Sequence, residues 1–325
     1  MGWPTIAVIV PTYQREGVLC DTLCSLLAQD YPAYSVVVVD QTQTHQSDTQ
    51  RQLESWAQAG KITWYQVSWA SLPAARNWGI ERSQSDLVLF IDDDVVLPPG
   101  YLYAHARTFT ERPEVGAVAG RVFDRMKLAE QNEFEIDYLP AEAMDPGVAW
   151  YHLDLVHTTQ PQRVLTARGC NMSFRRDLFD RHGLQFDERF YGSAVREESD
   201  FCLRIRATGY IIWYNPDAHL VHLGEETGGC HDIATRSLSY QMNFYHNHFL
   251  LALKNLTLGQ NLRLYGRLFN CHVLGHPPCN KDGHPLKVLS RGIFFVAGWL
   301  YTVYTLLTTM GQHGRIYPRV EENQR

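Results

Sequence analysis

The stretch 87–94 constrains the possible fold of this chain most, because an apolar run there is followed directly by acidic residues. Five consecutive apolar residues, 87–91, are followed at once by three aspartates, 92–94. Such a run predicts a buried strand whose carboxyl end opens into a site, where ligands bind in open α/β sheets. Adjacent carboxylates repel one another unless a divalent cation neutralises them, so the triplet favours Mg2+ or Mn2+. A solvated acidic turn is the alternative interpretation.

Further strands precede that run and alternate with helices. Strands are predicted over 6–10, 36–39 and 62–67, and helices over 16–29, 47–59 and 72–80. Alternating strands and helices fold into a parallel sheet with right-handed crossovers. We therefore predict an α/β fold, a mostly parallel Rossmann-like sheet flanked by helices. Its strand ends share one edge, so Thr12, Asp40 and Asp92 are expected to lie together.

The charge of the chain is unevenly distributed. Residues 254–325 carry nine Lys/Arg and three acids, a balance of +6, so the total of −6 leaves −12 on residues 1–253. An acidic body argues against nucleic acid as a partner, because phosphates need a basic face. The basic tail suits an anionic membrane surface, and a solvated tail is the alternative.

Cysteine spacing and the first residues bear on the compartment. Seven cysteines form no CxxC pair, so we expect neither a zinc ribbon nor a disulfide framework, and a reducing compartment. The first residues lead straight into a strand without the features of a secretory signal. The expected location is cytoplasmic, at the inner face of the plasma membrane.

Four motifs carry a resemblance to a known family. They are VIVPTYQR (8–15), VVVVD (36–40), LPAARNWGI (72–80) and LFIDDDV (89–95). In this order and at these spacings, the chain resembles the family 2 inverting glycosyltransferases of the GT-A fold. Two later stretches are also similar to family motifs: 169–173 resembles Gly-x-Asn-x-Ser, and 215–224 resembles Ala-x-x-x-His-x-x-Gly through Ala218 and His222, with Gly224 one position closer to the histidine.

The resemblance implies a role for each matching residue. The implied donor-binding residues are Pro11, Thr12, Tyr13, Arg15, Glu16, Asp40, Arg76, Asp92, Asp93 and Asn171. Asp94 and His222 are implied to bind Mg2+ or Mn2+. Gln41-Thr42 follows Asp40 where the family has a small polar residue or Gly-Ser, so the nucleotide base is left open.

A second acidic cluster opens a predicted helix over residues 196–209. In the family this stretch is Glu-Asp-x-Asp with the second acid as catalytic base, so the resemblance implies Glu198 as the base. A carboxylate suits the task because it must accept a proton from the attacking hydroxyl. Glu197 lies beside it, and Asp200 and Arg204 form a supporting i,i+4 pair. Acids that only stabilise a helix N-terminus are the structural alternative.

The remaining segments divide the chain. We expect a GT-A domain over 1–255, with a nucleotide-binding half of about 1–123 and an acceptor-binding half of about 124–255. Residues 124–160 lose periodicity, which is typical of a functional or disordered segment, and 225–232 are predicted to form a mobile loop.

The helical C-terminal extension, 256–325, is basic and apolar. Residues 292–312 carry no formally charged side chain and are long enough to span a bilayer. Their threonines and glycines favour an amphipathic or packing helix near a membrane surface instead.

Together these features predict a metal-dependent inverting glycosyltransferase that moves a sugar from a nucleoside diphosphate sugar to an acceptor hydroxyl. The expected acceptor is a glycan or a lipid-linked molecule, in the synthesis of cell-surface polysaccharide or glycolipid.

Two alternative functions stay open. One is a catalytically silent sugar-nucleotide-binding protein, because Glu198 stands where the family has Asp. The other is a haloacid-dehalogenase-type phosphatase, whose Asp-x-Asp-x-Val motif matches residues 92–96 but lies on that fold's first strand.

Overall fold

The computed structural model describes residues 2–124, 160–225, 227–229, 237–277, 279–310, 314 and 316. Nearly all of the aperiodic segment 124–160, and residues 226 and 230–232 of the predicted loop, lie outside the described residues.

The N-terminal half alternates strands with helices, as the sequence predicts. Its elements are β1 (Ile6–Thr12), α1 (Gly17–Leu27), β2 (Tyr34–Asp40), α2 (Ser47–Gln58), β3 (Thr63–Gln66), α3 (Leu72–Glu81), β4 (Leu87–Ile91), β5 (Val95–Val96), α4 (Tyr101–Glu111) and β6 (Val115–Asp124). The helical spacing of Leu19, Leu23 and Leu26 places all three side chains in the core, which is why α1 packs on the sheet.

The described part of the second half contains two short strands, one long strand and the C-terminal helices. Its elements are β7 (Gln162–Val164), β8 (Asn171–Arg175), α5 (Asp177–Asp180), α6 (Glu197–Ile205), β9 (Ile211–His222), α7 (Leu238–Asn255), α8 (Leu258–Leu268) and α9 (Pro285–Thr308), with a π-helical turn at Phe269–Val273. Strand β9 continues well beyond the predicted 211–214, because a register shift at Gly120/Arg121 of β6 lets the two strands pair past Pro216.

The described strands form one mixed sheet. Its order is β3-β2-β1-β4-β8-β6-β9-β5, and β7 pairs with β9 off this path. The predicted parallel arrangement holds for β3, β2, β1 and β4. Strand β8 enters antiparallel between β4 and β6, so the sheet is less uniformly parallel than predicted. The α/β class and the flanking helices are confirmed.

Apolar clusters lie on both faces of this sheet. Successive side chains of a strand point to opposite faces, so Val8 and Val10 join one cluster and Ile9 joins the other. A third cluster includes Phe190, Phe249 and Leu264, and it joins the C-terminal helices to the body.

No disulfide framework was predicted, and the described residues contain one disulfide that the cysteine spacing does not signal. Cys271 and Cys279 are disulfide-bonded, with a Cα–Cα distance of 5.3 Å. Cys271 lies in the π-helical turn and Cys279 in the connection that follows it, so the two come together although no CxxC spacing signals it. The bridge closes a separation of 8 residues between α8 and α9.

Candidate active site

The carboxyl ends of β1, β2 and β4 meet at one edge of the sheet. Thr12 and Asp40 are partners in the parallel register of β1 and β2, and β4 ends at Ile91, directly before the three aspartates. Parallel pairing of buried strands therefore brings the predicted donor-binding residues to a common edge.

Asp92, Asp94 and His222 come together at this edge. One ligand atom from each lies within 4.8 Å of the others. The antiparallel pairing of β5 with β9 sets Val95 opposite His222, which carries the imidazole to the end of β4. His222 Nε2 lies 3.3 Å from Asp94 Oδ1 and 3.8 Å from Asp92 Oδ2. Two carboxylates and an imidazole form a donor set that suits Mn2+ or Mg2+.

Two residues that the sequence did not single out orient His222. Its Nδ1 lies 3.3 Å from Asp124 Oδ1, and Arg168 donates to both oxygens of Asp124 at 3.0 and 3.1 Å. Burial disfavours the charged ring, but hydrogen bonds to Asp124 and Asp94 outweigh it and raise the pKa of His222 to about 11. The sequence signal that could have indicated Asp124 is an acid at the end of the predicted strand β6. In the structure, Asp124 is the register partner of His222.

Arg15 is a buried internal cation of the site. Its Nε lies 3.1 Å from Asp93 Oδ1 and its NH2 lies 3.2 Å from Asp94 Oδ2. The same guanidinium donates to the carbonyl oxygens of Glu225 and Thr227, so it also ties the following loop to the aspartates. Burial raises the pKa of Asp93 to about 7 against the opposing charge of Arg15. Burial also opposes ionisation of Asp94, yet hydrogen bonds from His222 and the Glu225 amide hold its pKa below the ordinary value.

Asp40 is fully buried and hydrogen-bonded within the protein. Its Oδ2 accepts from Trp64 Nε1 at 2.9 Å and lies 2.7 Å from His45 Nε2, and its Oδ1 accepts from the Thr42 amide. His45 Nδ1 faces Glu16 Oε1 at 3.3 Å. The imidazole therefore bridges the two acids that the resemblance places in the nucleotide pocket, and it was not singled out in the sequence.

The first residues after β1 are shaped by contacts with the later loop. Pro11 is buried opposite Val39, and the Tyr13 carbonyl accepts from the Gly229 amide at 2.7 Å. A Cβ on Gly228 would lie 2.0 Å from the Gln14 carbonyl oxygen, so the loop approaches this turn as closely as glycine allows.

Arg76 and Glu197 form a buried ion pair. Both side chains are almost completely excluded from solvent, and Arg76 also donates to the Gly169 carbonyl at 3.1 Å. Its guanidinium lies over the rings of Phe90 and Phe186, at 5.6 and 5.3 Å from their centroids. The pair thus joins α3 to the first residue of α6, and the implied contact of Arg76 with a diphosphate stays a prediction.

Glu198 differs from its two acidic neighbours in exposure. It is half-buried and accepts a hydrogen bond from Ser199 Oγ at 3.1 Å, whereas Glu197 and Asp200 are buried. Asp200 accepts from Arg204 Nε at 3.0 Å and lies 2.7 Å from Lys254 Nζ. The secondary, structural role expected for Asp200 and Arg204 fits these contacts.

The side chain of Asn171 makes all of its observed hydrogen bonds to other residues of the protein. Its Oδ1 accepts from Tyr101 at 2.7 Å and from His105 at 3.1 Å, and its Nδ2 donates to the carbonyls of Arg121 and Ala218 at 2.9 Å. The side chain links β8 to α4, β6 and β9. Its implied contact with the donor stays a prediction.

Comparison with known proteins gives a family and a fold. Residues 7–183 match the sequence model of glycosyl transferase family 2, more than half of the chain. An O-antigen biosynthesis protein, RfbC, from Myxococcus xanthus is 27% identical over 232 residues, which is 68% of this chain and 17% of that protein. A putative teichuronic acid biosynthesis glycosyltransferase, TuaG, from Bacillus subtilis is 29% identical over 92 residues, 28% of this chain and 36% of TuaG.

Two solved structures share the fold. The mannosyltransferase PcManGT from Pyrobaculum calidifontis, in complex with GDP-Man and Mn2+, has a TM-score of 0.56 at 20% identity and covers 97% of this chain and 86% of its own. TarS from S. aureus has a TM-score of 0.54 at 17% identity, with coverage of 94% and 55%. At these identities the similarity establishes the GT-A fold alone.

Proposed function

Because the chain belongs to glycosyl transferase family 2, we propose that it transfers a sugar from a nucleoside diphosphate sugar to an acceptor hydroxyl, with inversion and with the help of Mg2+ or Mn2+. The observation that carries the proposal is the convergence of Asp92, Asp94 and His222 at the strand edge, with the half-exposed Glu198 on α6. Family membership removes the phosphatase alternative.

The donor set fits a divalent cation. Mn2+ and Mg2+ take about six ligands, so two carboxylates and one imidazole leave positions for diphosphate oxygens and water. When bound, the ion would supply positive charge to the leaving diphosphate. Asp94 and His222 would hold it, and Asp92 would face the ion or the donor's ribose.

Glu198 is the proposed general base. In a single displacement, the acceptor oxygen bonds to the anomeric carbon while the bond from that carbon to the diphosphate oxygen breaks. The acceptor proton passes to the Glu198 carboxylate, and the negative charge leaves on the diphosphate. Glu198 can take this role because its side chain reaches solvent, while the adjacent Glu197 is held by Arg76.

The proposed donor pocket follows the edge of the parallel strands. Thr12, Glu16 and Asp40 would form the nucleotide side, and Asp40 would reach a base by exchanging one of its hydrogen bonds with Trp64, His45 or Thr42. Arg15 and Asp93 would adjust when a diphosphate and its ion arrive, because Arg15 neutralises both Asp93 and Asp94 in their absence.

The names of the relatives motivate a class of product. RfbC is an O-antigen biosynthesis protein and TuaG a putative teichuronic acid biosynthesis glycosyltransferase. We extend the proposal to cell-surface polysaccharide or glycolipid synthesis, with a glycan or lipid-linked acceptor, in the cytoplasm at the inner face of the plasma membrane. This chain spans 17% of the length of RfbC and 36% of the length of TuaG.

A donor screen tests the reaction and the metal assignment together. We expect one of the UDP-, GDP- or dTDP-sugars to stabilise the protein against unfolding when Mn2+ is present, by about 2.7 kcal/mol at a hundredfold excess over Kd. Release of free nucleoside diphosphate, and the anomeric configuration of the product by NMR, then distinguish a transferase from a silent binding protein.

Asp94→Ala should abolish Mn2+-dependent donor binding and leave the fold intact, because the site loses one carboxylate that the ion needs. Isothermal titration with Mn2+ and the donor measures this, and Asp48→Ala, an exposed carboxylate on α2, is the control. Equal donor affinity in both variants would refute the metal assignment.

A further inference from the structure

The outward face of α9 is an unbroken apolar stripe. Large apolar residues recur every three or four positions, and each is between 57% and 71% exposed: Leu286, Leu289, Ile293, Val296, Leu300, Tyr304 and Leu307. At 1.5 Å per residue the stripe is about 30 Å long. Single exposed apolar residues are ordinary on a protein surface, but a continuous stripe marks an interaction site.

Helix α8 carries a second row of exposed apolar residues. Leu258, Leu262 and Phe269 are exposed and recur at helical spacing along α8 and its π-helical turn. The Phe269 ring lies 5.5 Å from the ring of Phe295, edge to face, so the end of this second row contacts α9. We call the two rows together the apolar platform.

The opposite face of α9 is fixed to α7. A Cβ on Gly298 would lie 2.5 Å from Tyr245 Cβ, so the two helices approach at the limit that glycine permits. Thr302 Oγ1 donates to the His246 carbonyl at 3.1 Å, and Thr305 Oγ1 lies 3.0 Å from His246 Nε2. Both threonines are buried.

This packing decides how α9 can meet a membrane. Among the described residues, α9 is the one helix long and apolar enough to cross a bilayer by length and composition, yet its polar inner face is bonded to α7. Crossing would strip Thr302 and Thr305 from their partners and place them in lipid, where unsatisfied polar groups are costly. A helix held side-on instead offers one apolar face to an interface.

The charge of the C-terminal helical region favours an anionic partner for the apolar platform. Residues 256–310 carry five Lys/Arg and one acid, Asp282, and no Asp or Glu occurs from 283 to 310. A second copy of the chain on a two-fold axis would set this positive surface against itself. An anionic bilayer complements it, since basic residues beside an interfacial helix are attracted to acidic headgroups.

We propose that the apolar platform docks flat onto an anionic lipid bilayer, with α9 lying in the headgroup region and α7 holding it to the body. This goes beyond the transfer reaction and does not depend on it. Arg196, which directly precedes α6, donates to His248 of α7, so the docking helix is linked through α7 to the helix of the proposed base.

Vesicle flotation tests the docking. The whole chain is mixed with vesicles of phosphatidylcholine alone or with one quarter phosphatidylglycerol, at low and high salt. We expect binding to the anionic vesicles that weakens as salt rises, because screening reduces the electrostatic part. Leu289→Gln/Val296→Gln/Leu300→Gln should lower the partition coefficient by at least about tenfold, since three apolar contacts are removed. Trp3→Gln, an exposed apolar residue packed on Tyr31 and Tyr103, is the control and should bind as the wild type does.

Four results would contradict the proposal that the platform docks onto an anionic bilayer. Equal flotation of the triple variant and the wild type, or no flotation of the wild type, rules out the platform as a lipid-docking surface. Light scattering that shows a wild-type dimer dissociated by the triple substitution, without lipid binding, assigns the platform to a second copy of the chain. Vesicle-bound protein that resists both salt and alkaline carbonate indicates a spanning helix. Circular dichroism confirms that the triple variant is folded, as expected for substitutions at solvent-exposed positions.

Discussion

At the scale of single residues, the orientation of His222 decides what its ring can bind. A carboxylate at Nδ1 keeps a proton on that nitrogen, so an ion that displaces the proton of Nε2 meets the Nε2 lone pair. Asp124 occupies this position and is itself held by two hydrogen bonds from Arg168. Three side chains from β6, β9 and the segment before β8 therefore act as one positioning unit.

Asp124→Asn should weaken Mn2+ binding by about 10–100-fold, because an amide can donate to Nδ1 and so place the imidazole proton on the nitrogen that faces the ion. Electron paramagnetic resonance of free Mn2+ measures the affinity without any turnover. Asp217→Asn is the matched control, since Asp217 also pairs with an arginine, Arg107, but is exposed. Asp124→Glu should restore part of the affinity. If Asp124→Asn and the control bind Mn2+ equally well, Asp124 does not position His222.

Substitutions of the two adjacent glutamates of α6 should affect different properties of the protein, turnover for Glu198 and stability for Glu197. Glu198→Gln cannot accept a proton, so turnover should fall by about 10²–10⁴ while donor affinity and stability stay near wild type. Glu197→Gln leaves Arg76 buried without its carboxylate and should lower the free energy of unfolding by about 3 kcal/mol. Single-turnover kinetics and urea unfolding measure the two effects. If the losses are exchanged between the variants, Glu197 is the base.

At the scale of elements, α6 is held in place by buried ion pairs with two other helices, α3 and α7. Glu197 at its start pairs with Arg76 of α3, and Asp200 one turn later pairs with Arg204 and with Lys254 of α7. Lys254 also pairs with Asp187, so one ammonium joins two buried carboxylates. The helix that carries the proposed base is thereby fixed between the sheet and the C-terminal helices.

Lys254→Met should destabilise the protein by about 2–3 kcal/mol, because Asp187 and Asp200 would remain buried with fewer partners. Lys287→Met is a matched control: its ammonium lies 2.7 Å from Asp282, the same distance as Lys254 from Asp200, but both partners are exposed. Exposed pairs contribute little, so the control should unfold like the wild type. Urea titrations compare the two, and an equal loss in both would show that burial is not what makes the Lys254 pairs matter.

The elements that the sequence predicted well are those whose burial shows in the pattern. Strands β1, β2 and β4 each contain a continuous apolar run because both of their faces are covered there, and Leu19, Leu23 and Leu26 mark the buried side of α1. Local patterns report such burial directly.

Other features depend on partners distant in sequence. The antiparallel direction of β8 is decided by which strands have a free edge, and the alternating polar and apolar residues of β8 form the same pattern in either direction. His45 and Asp124 lie outside the matching motifs and reach the site only through the fold around Asp40 and His222. The Cys271–Cys279 bridge likewise follows from the π-helical turn after α8.

At the scale of the whole molecule, buried ionisable groups give opposing responses to acid. Burial lowers the pKa of His105 to about 4, and it also lowers the pKa of His246 to about 4. Both are neutral in the fold, so acid favours the unfolded chain, which takes up protons near pH 6.5. Asp93 acts in the opposite direction, because burial raises its pKa to about 7 and it binds a proton more readily when folded. The change of stability with pH is therefore a sum of contributions of opposite sign.

Substitution of one histidine separates these contributions. His105 is completely buried between Ser173 and Asn171, at 2.7 and 3.1 Å. From pH 6.5 down to about 4 the unfolded chain binds one more proton at this position than the fold, so the free energy of unfolding falls with pH and the loss is complete near pH 4.

Between pH 7 and 5 the wild type should lose about 2 kcal/mol more than His105→Gln, which has no proton to gain there. Urea unfolding at the two pH values measures the difference, with His284→Gln, an exposed histidine, as the control that should follow the wild type. Parallel pH dependences for wild type and His105→Gln would mean that His105 is already protonated, or accessible to protons, in the folded protein.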